Sequence, residues 1–337
     1  MTPVRYTPRP WISTYGYLAY QVALLQALPA AHEWILSNYI QIAYKAGADA
    51  NLPITFFTEA SYNSPWLAVS RLEADFLNDN AMSARTFVEY ASSTGRAVQL
   101  DVDLSLLTDG ELTEPHDALI VHLDNGSDHV SIATLLGWWP AGPPYRRHLQ
   151  FGELHVPLPR VIEAFLRCPP RWVMSVGVNE HTCYPMDLDL IDRTYREYLE
   201  GLDTSRHFAS SMPPEPLLMY GLPGLREFAQ DVCDEPNEEQ PFGRQNFQIL
   251  SEHRRLAHLR CVKLFGVNDP LVARSSQFAT QAELLNLRYA KHSMTKNVDG
   301  VRRCGQLLLE QLSDEKMFIS DFLSRLTDIR LGDPMRG

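Results

Sequence analysis

The feature that most constrains the fold is a strict alternation of apolar and polar residues between positions 97 and 104. Its members are Val98, Leu100, Val102 and Leu104 on one side and Gln99, Asp101 and Asp103 on the other. A repeat of two is that of a β-strand with one face buried. Apolar runs at residues 117–123 and 128–138 follow, joined by Asn125-Gly126, a strong hairpin signal. The sequence therefore predicts an antiparallel sheet.

The periodicity of the remaining segments predicts two parts of different character. Helical spacing occurs at residues 15–44, 64–78, 83–93 and 159–167, and short runs of β-forming residues occur at 52–57, 148–156 and 172–178. After residue 186 helical patterns dominate, at 187–200, 225–232 and 246–326. We predict an α+β fold, with an antiparallel sheet packed on helices in residues 1–180 and a mostly helical domain in residues 181–337.

Composition excludes several classes of partner. The net charge of −11 argues against binding nucleic acid or an anionic membrane through overall charge. No apolar run approaches the roughly 20 residues of a membrane helix, and the first residues lack the apolar core of a secretory signal. The five cysteines have no Cys-x-x-Cys spacing, which is typical of reduced thiols. We predict a cytoplasmic protein without a cofactor and without nucleic-acid or membrane partners.

Two histidines mark the tip of the predicted hairpin. If Asn125-Gly126 is a two-residue loop, His122 faces His129, and the core face consists of Leu119, Val121, Val130 and Ile132. Facing histidines, with a carboxylate from the neighbouring strand, can share a metal ion. Exposed histidines at hairpin tips are common, however, and no ligand spacing supports the site. We therefore predict no metal.

His116 is the better candidate for chemistry. It enters the first hairpin strand beside the strand that bears Asp101 and Asp103. A histidine with a carboxylate to orient it can act as a general base. A solvated histidine at a strand end, beside ordinary acidic residues, has the same spacing. The residues alone leave both interpretations open.

A basic segment lies in the helical part, at residues 246–265. Arg254, Arg255 and His258 belong to a group of basic residues outside its apolar stripe. In so acidic a chain, this group could bind an anionic ligand or dock an acidic carrier protein. A solvated helix face, neutralised by the acids of residues 234–239, is the more common use of such a pattern.

The order of these motifs resembles that of a known family. A Gly-Tyr-Leu-Ala helix start at residues 16–19 precedes the Gly-Arg-x-Val-x-Leu-Asp-Val-Asp-Leu strand at 95–104. His116, a hairpin ending in Leu-Gly-Trp at 136–138, and a strand and helix at 151–166 follow. This arrangement resembles the N-terminal domain of the butirosin-type acyltransferases, which are relatives of papain-like cysteine peptidases. The resemblance implies a papain-like N-terminal half.

The resemblance also implies a site. Members of the family carry an acyl group on a cysteine at the start of the first helix, and the histidine before their hairpin corresponds to His116. Residues 14–20, where that cysteine would fall, contain none. Because a covalent mechanism needs an ionisable thiol, its loss favours non-covalent chemistry. Tyr15, Tyr17 and Tyr20 would line the helix start as substrate-binding residues.

Together these observations lead to a functional expectation with two alternatives. We expect a biosynthetic enzyme of secondary metabolism that closes a ring or eliminates a leaving group on an amino-acyl substrate, such as aziridine formation with loss of sulfate. His116 would be the base and Asp101 or Asp103 would orient it, while Arg254, Arg255 and His258 would bind the substrate or an acidic carrier protein that holds it. The alternatives are acyl or aminoacyl transfer from a carrier protein to an amine, and a non-catalytic subunit that docks a second biosynthetic enzyme.

Overall fold

The computed structural model describes residues 4–45, 54–57, 64–73, 83–108, 115–124, 127–138, 148–168, 172–208, 218–234 and 243–332. The fold is α+β as predicted, with antiparallel sheets in the N-terminal half and helices in the C-terminal half. The chain forms two compact units, Met1–His32 with Glu59–Tyr184, and Glu33–Thr58 with Pro185–Gly337. The second unit thus contains a segment that a boundary near residue 180 assigns to the first domain.

The helices are α1 (Gly16–Gln26), α2 (His32–Asn38), α3 (Ala84–Ser93), α4 (Leu158–Arg167), α5 (Leu188–Glu200), α6 (Gly221–Asp234), α7 (Gly243–Phe265), α8 (Pro270–Met294) and α9 (Val298–Gly332). The strands are β1 (Ile42–Lys45), β2 (Ile54–Phe56), β3 (Leu67–Leu72), β4 (Ala97–Asp103), β5 (Pro115–Asp124), β6 (His129–Trp138), β7 (His148–Pro157), β8 (Val173–Val178) and β9 (Leu218–Tyr220).

The first unit is built on a six-stranded sheet of order β3-β8-β4-β5-β6-β7, in which every neighbouring pair is antiparallel. The apolar residues of the alternating segment, Val98, Leu100 and Val102, are buried in a cluster with α3 and α4, as predicted. Helix α3 begins where predicted, because Ser83 Oγ accepts a hydrogen bond from the backbone N–H of Thr86. Helix α1 contacts β5 and β6.

The second unit contains a three-stranded sheet of order β2-β1-β9 and the helices from α5 onward. Most of the predicted helical segment at residues 246–326 lies in α7, α8 and α9. Arg260 on α7 is fully buried and donates to the backbone oxygens of Leu36 and Tyr39, which end helix α2. It also donates to Tyr195 Oη at 2.6 Å. A cation at a helix C-terminus is stabilised by the helix dipole.

Two predicted helices are wrong in part, because sheet pairing overrides the helical spacing of their apolar residues. The helix predicted over residues 15–44 ends before β1, which pairs with both β2 and β9. The helix predicted over residues 64–78 is a strand at Leu67–Leu72, and all six of its residues pair with β8.

The hairpin has a different register from the one predicted. Asp124 pairs with His129, so the loop has four residues, of which Asn125 and Gly126 lie outside the described part. His122 therefore pairs with Ser131 rather than with His129, whose ring instead stacks on that of His155. An irregularity between Ile120 and His122 changes the core face as well. Val130 and Ile132 share a buried cluster with Ala118, Ile120 and Leu123. Leu119 and Val121 are buried as predicted, but they do not belong to that cluster.

Candidate active site

His116 forms the centre of the candidate site, at the start of β5. Its Nδ1 atom lies 2.7 Å from Oδ1 of Asp117 and 3.1 Å from the backbone oxygen of the same residue. The His116 side chain is 25% exposed and that of Asp117 is 18% exposed, so the pair is partly desolvated and still open to a ligand. Because both contacts use Nδ1, the nitrogen that would meet a ligand is Nε2.

The carboxylate that orients His116 is Asp117, which corrects the expectation that Asp101 or Asp103 does so. Asp101 is the Cα partner of Asp117 across β4 and β5, and its charge acts on the His116 ring from there. Asp103 instead accepts hydrogen bonds from the backbone N–H and the hydroxyl of Ser105. The available sequence signal for Asp117 was its position directly after His116.

Asp117 is held from several sides. Tyr20 Oη and Thr134 Oγ1 donate to its backbone oxygen, at 2.6 and 3.0 Å. Gln99 Nε2 lies 3.4 Å from its Oδ2 atom, at the long end of the hydrogen-bond range. Gly16, the first residue of α1, lies against the carboxylate itself. The positive end of the α1 dipole therefore stabilises the negative charge of Asp117.

The three tyrosines predicted to bind substrate all lie at the start of α1. Tyr15 is the N-cap residue, and its ring stacks on that of Tyr17 with centroids 5.9 Å apart. Tyr15 and Tyr20 are buried, whereas Tyr17 is half-buried. Of the three, Tyr17 is thus the best placed to contact a substrate, and Tyr20 has a partner in Asp117.

The pKa of His116 reflects opposing effects. Burial lowers it, but the hydrogen bond to Asp117 and the charges of Asp117 and Asp101 outweigh burial, so that the pKa lies above its usual 6.5. The pair therefore contributes stability that is fully present below pH 6.5 and is lost as the pH rises through the raised pKa. The raised pKa makes the neutral ring a stronger base, and it also keeps a larger fraction of the ring protonated at a given pH.

Replacing Asp117 by asparagine is expected to lower the pKa of His116, because the main effects that raise it come from the Asp117 carboxylate. NMR titration of the histidine ring measures this directly, with His116 assigned from the spectrum of a His116→Gln variant. The control is His122→Gln on the same strand, which should leave the His116 titration as in the wild type. An unchanged His116 titration would show that Asp117 is not its electrostatic partner.

None of the cysteines whose pKa is perturbed is activated as a nucleophile. Burial raises the pKa of Cys168, and the charges of Asp103 and Asp101 raise it further. Burial also raises the pKa of Cys233, of Cys261 to about 12 and of Cys304 to about 11. A thiol with a raised pKa is mostly protonated at neutral pH and is a poor nucleophile.

The basic residues of α7 do not form one exposed face, which corrects the expectation of a charged docking surface. Arg254 is buried and donates to Glu315 Oε2 from Nε and Nη2, at 3.2 and 2.8 Å. His258 is half-buried and its Nδ1 lies 3.0 Å from Ser275 Oγ. Of the three residues predicted to bind an anion, Arg255 alone is exposed.

A buried polar network surrounds Glu315 on α9. Besides Arg254, it accepts a hydrogen bond from Tyr198 Oη at 2.9 Å, and His253 Nδ1 lies 4.0 Å away. Burial raises the pKa of Glu315, but the charges of Arg254 and His253 and its hydrogen bonds lower it more, so the net shift is downward. Burial lowers the pKa of His253 to about 4. The contribution of neutral His253 to stability therefore declines as the pH falls from 6.5 towards 4.

Within the described ranges, no group of three or more histidine, cysteine or acidic side chains is arranged to hold a metal ion. In the same part of the chain, no helix combines the length and apolar character needed to span a membrane. Comparison with known proteins finds no family model that matches the sequence and no significantly similar curated protein. The site must therefore be interpreted from its own geometry.

Proposed function

We propose that this protein is an enzyme that transfers a proton through His116, oriented by Asp117, and forms no covalent intermediate with its substrate. The observation that carries the proposal is the 2.7 Å contact between His116 Nδ1 and Asp117 Oδ1 in a partly desolvated site. A carboxylate on Nδ1 fixes the tautomer in which Nε2 carries the lone pair, as general-base catalysis requires. The raised pKa of Cys168, the cysteine on which Asp101 and Asp103 act, supports the non-covalent route.

The substrate that suits this chemistry is an amino-acyl group whose amine-bearing carbon is bonded to a carbon with a good leaving group. In the proposed step, Nε2 of His116 accepts a proton from the amine. The nitrogen lone pair forms a bond to the carbon that carries the leaving group, and the carbon–oxygen bond to sulfate breaks with its electron pair on the departing sulfate. The product is an aziridine, and the enzyme needs no nucleophile of its own. The acyl group is proposed to be tethered to a carrier protein, in a setting of secondary metabolism.

The proposal is tested with amino-acyl thioesters that carry a sulfate ester on the carbon bonded to the amine-bearing carbon, both free and attached to a carrier protein. Matched compounds with a hydroxyl in place of the sulfate are the control. We expect the wild type to release inorganic sulfate and form the ring-closed product, as measured by ion chromatography and mass spectrometry. The rate should rise with pH through the pKa of His116, and Asp117→Asn should move that rise to lower pH.

Three outcomes would contradict this proposal. Sulfate release from none of the sulfated substrates would exclude the ring closure. Loss of the thioester only when an acceptor amine is added, with the sulfate retained, would indicate acyl transfer instead. A pH profile that Asp117→Asn leaves unchanged would mean that the His116–Asp117 pair is not the base.

A further inference from the structure

The glycine that begins α1 is unusual for its position. Glycine is less favourable than alanine in a helix, so a helical glycine usually has a local cause. Gly16 is not among the glycines with positive φ, so it is not required by backbone conformation. A Cβ atom built on Gly16 would lie 2.7 Å from Asp117 Oδ2 and nearer still to Oδ1, inside the limit of 3.0 Å that real Cβ atoms respect. The close approach of the Asp117 carboxylate is therefore the cause.

The other end of Asp117 is fixed by the same helix. Tyr20, one turn after Gly16, is fully buried and donates to the Asp117 backbone oxygen at 2.6 Å. Thr134, also fully buried, donates to the same oxygen from β6. The backbone of Asp117 is thus anchored by α1, and its carboxylate lies against the glycine that begins the same helix.

We propose that Gly16 and Tyr20 are positioning residues, which hold the Asp117 carboxylate against Nδ1 of His116 so that Nε2 remains the basic nitrogen. The use of that nitrogen in catalysis rests on the function proposed above, whereas the positioning itself does not. Gly16 acts by leaving room for the carboxylate at the helix start. Tyr20 acts by anchoring the backbone of Asp117.

The proposal is tested by a double-mutant cycle between Gly16→Ala and Asp117→Ala, with no substrate present. In the wild-type background, Gly16→Ala should displace the carboxylate and lower the pKa of His116 towards the value in Asp117→Ala. Nitrogen-15 NMR of the ring should show a larger share of the Nε2–H tautomer. In the Asp117→Ala background, where no carboxylate meets the new Cβ, Gly16→Ala should change neither quantity. Equal effects in both backgrounds, or no effect in the wild type, would overturn the role of Gly16.

Tyr20→Phe gives an independent test, which decides the proposal if Gly16→Ala does not fold. It removes one hydroxyl and should increase the Nε2–H tautomer share of His116. The matched control is Tyr90→Phe on α3, whose side chain is exposed and which should leave the tautomer unchanged. An unaltered tautomer in Tyr20→Phe would overturn the role of Tyr20.

The two proposals fail in different ways. If the variants alter His116 as expected but no substrate turns over, the positioning stands and the proposed reaction falls. If sulfate release depends on His116 but Gly16→Ala and Tyr20→Phe leave its pKa and tautomer unchanged, the reaction stands and the positioning falls.

Discussion

Replacing His116 by glutamine is expected to lower kcat/KM for sulfate release by about 10²–10⁴-fold, equivalent to about 3–5 kcal/mol of transition-state stabilisation. Glutamine retains a side-chain amide that can donate to Asp117, but it cannot accept the proton from the amine. The measurement is the initial rate of sulfate release at substrate concentrations well below KM. The rate is measured at a pH above the pKa of His116 in the wild type, where the ring is neutral and can accept a proton.

The matched control for this experiment is His122→Gln, which makes the same change on the same strand. His122 pairs with Ser131, so its replacement should leave the rate within about twofold of the wild type. Circular dichroism and urea unfolding of both variants establish that they are folded. A folded His116→Gln variant with wild-type turnover would be incompatible with proton transfer by His116.

Replacing Glu315 by alanine is expected to lower the free energy of unfolding by about 3–5 kcal/mol at neutral pH. The side chains of Glu315 and Arg254 are only 5% and 3% exposed, so the variant leaves a buried guanidinium without its carboxylate. Tyr198 loses its acceptor in the same variant. Urea denaturation, followed by fluorescence and by circular dichroism, measures the change.

A double variant separates the lost ion pair from the lost volume. Glu315→Leu with Arg254→Met replaces both charges by apolar side chains, and it should recover most of the stability that Glu315→Ala loses. Asp314→Ala, at an exposed neighbouring position, should change stability by less than about 0.5 kcal/mol. If Glu315→Ala has as small an effect as Asp314→Ala, the buried pair does not stabilise the fold.

Much of the first unit could be predicted because its strongest patterns are local. The alternation at residues 97–104 and the two runs of the hairpin predicted β4, β5 and β6. The helix predicted from the spacing at residues 64–78 was wrong at Leu67–Leu72, because the pairing of β3 with β8 depends on residues more than 100 positions away. Asn125-Gly126 predicted a hairpin correctly but not its loop length. The loop has four residues because Asp124 pairs with His129. Within this loop, Asp128 adopts a left-handed φ of 55°.

The candidate site was predicted only in part. His116 was singled out from its place before the hairpin, but its carboxylate was sought on the neighbouring strand. Side chains of consecutive strand residues normally point to opposite faces, so the strand pattern does not predict a pair between His116 and Asp117. At the start of β5 the His116 ring nevertheless turns to the adjacent carboxylate, and Gly16 leaves the space that Asp117 occupies. The contact between Gly16 and Asp117 joins distant segments of the chain, so no periodic pattern in the sequence indicates it.

The prediction of a basic docking surface on α7 was wrong for a related reason. A helical wheel of α7 separates apolar from charged residues, but it does not show how many sides of the helix are covered. Arg254 and Arg260 lie on covered sides and are satisfied by Glu315 and by the end of α2. Their partners lie far away in the sequence, so burial of these charges could not be predicted from spacing.

Because β1 pairs with β9, folding of the second unit during translation depends on the order in which its segments are synthesised. Residues 33–58 are synthesised before most of the first unit, but Lys45 pairs with Leu218, which emerges much later. Until then one edge of β1 has no native partner, and an unpaired apolar edge promotes association between nascent chains. We expect the risk of aggregation during translation to be greatest in that interval and to fall once Leu218–Tyr220 has left the exit tunnel.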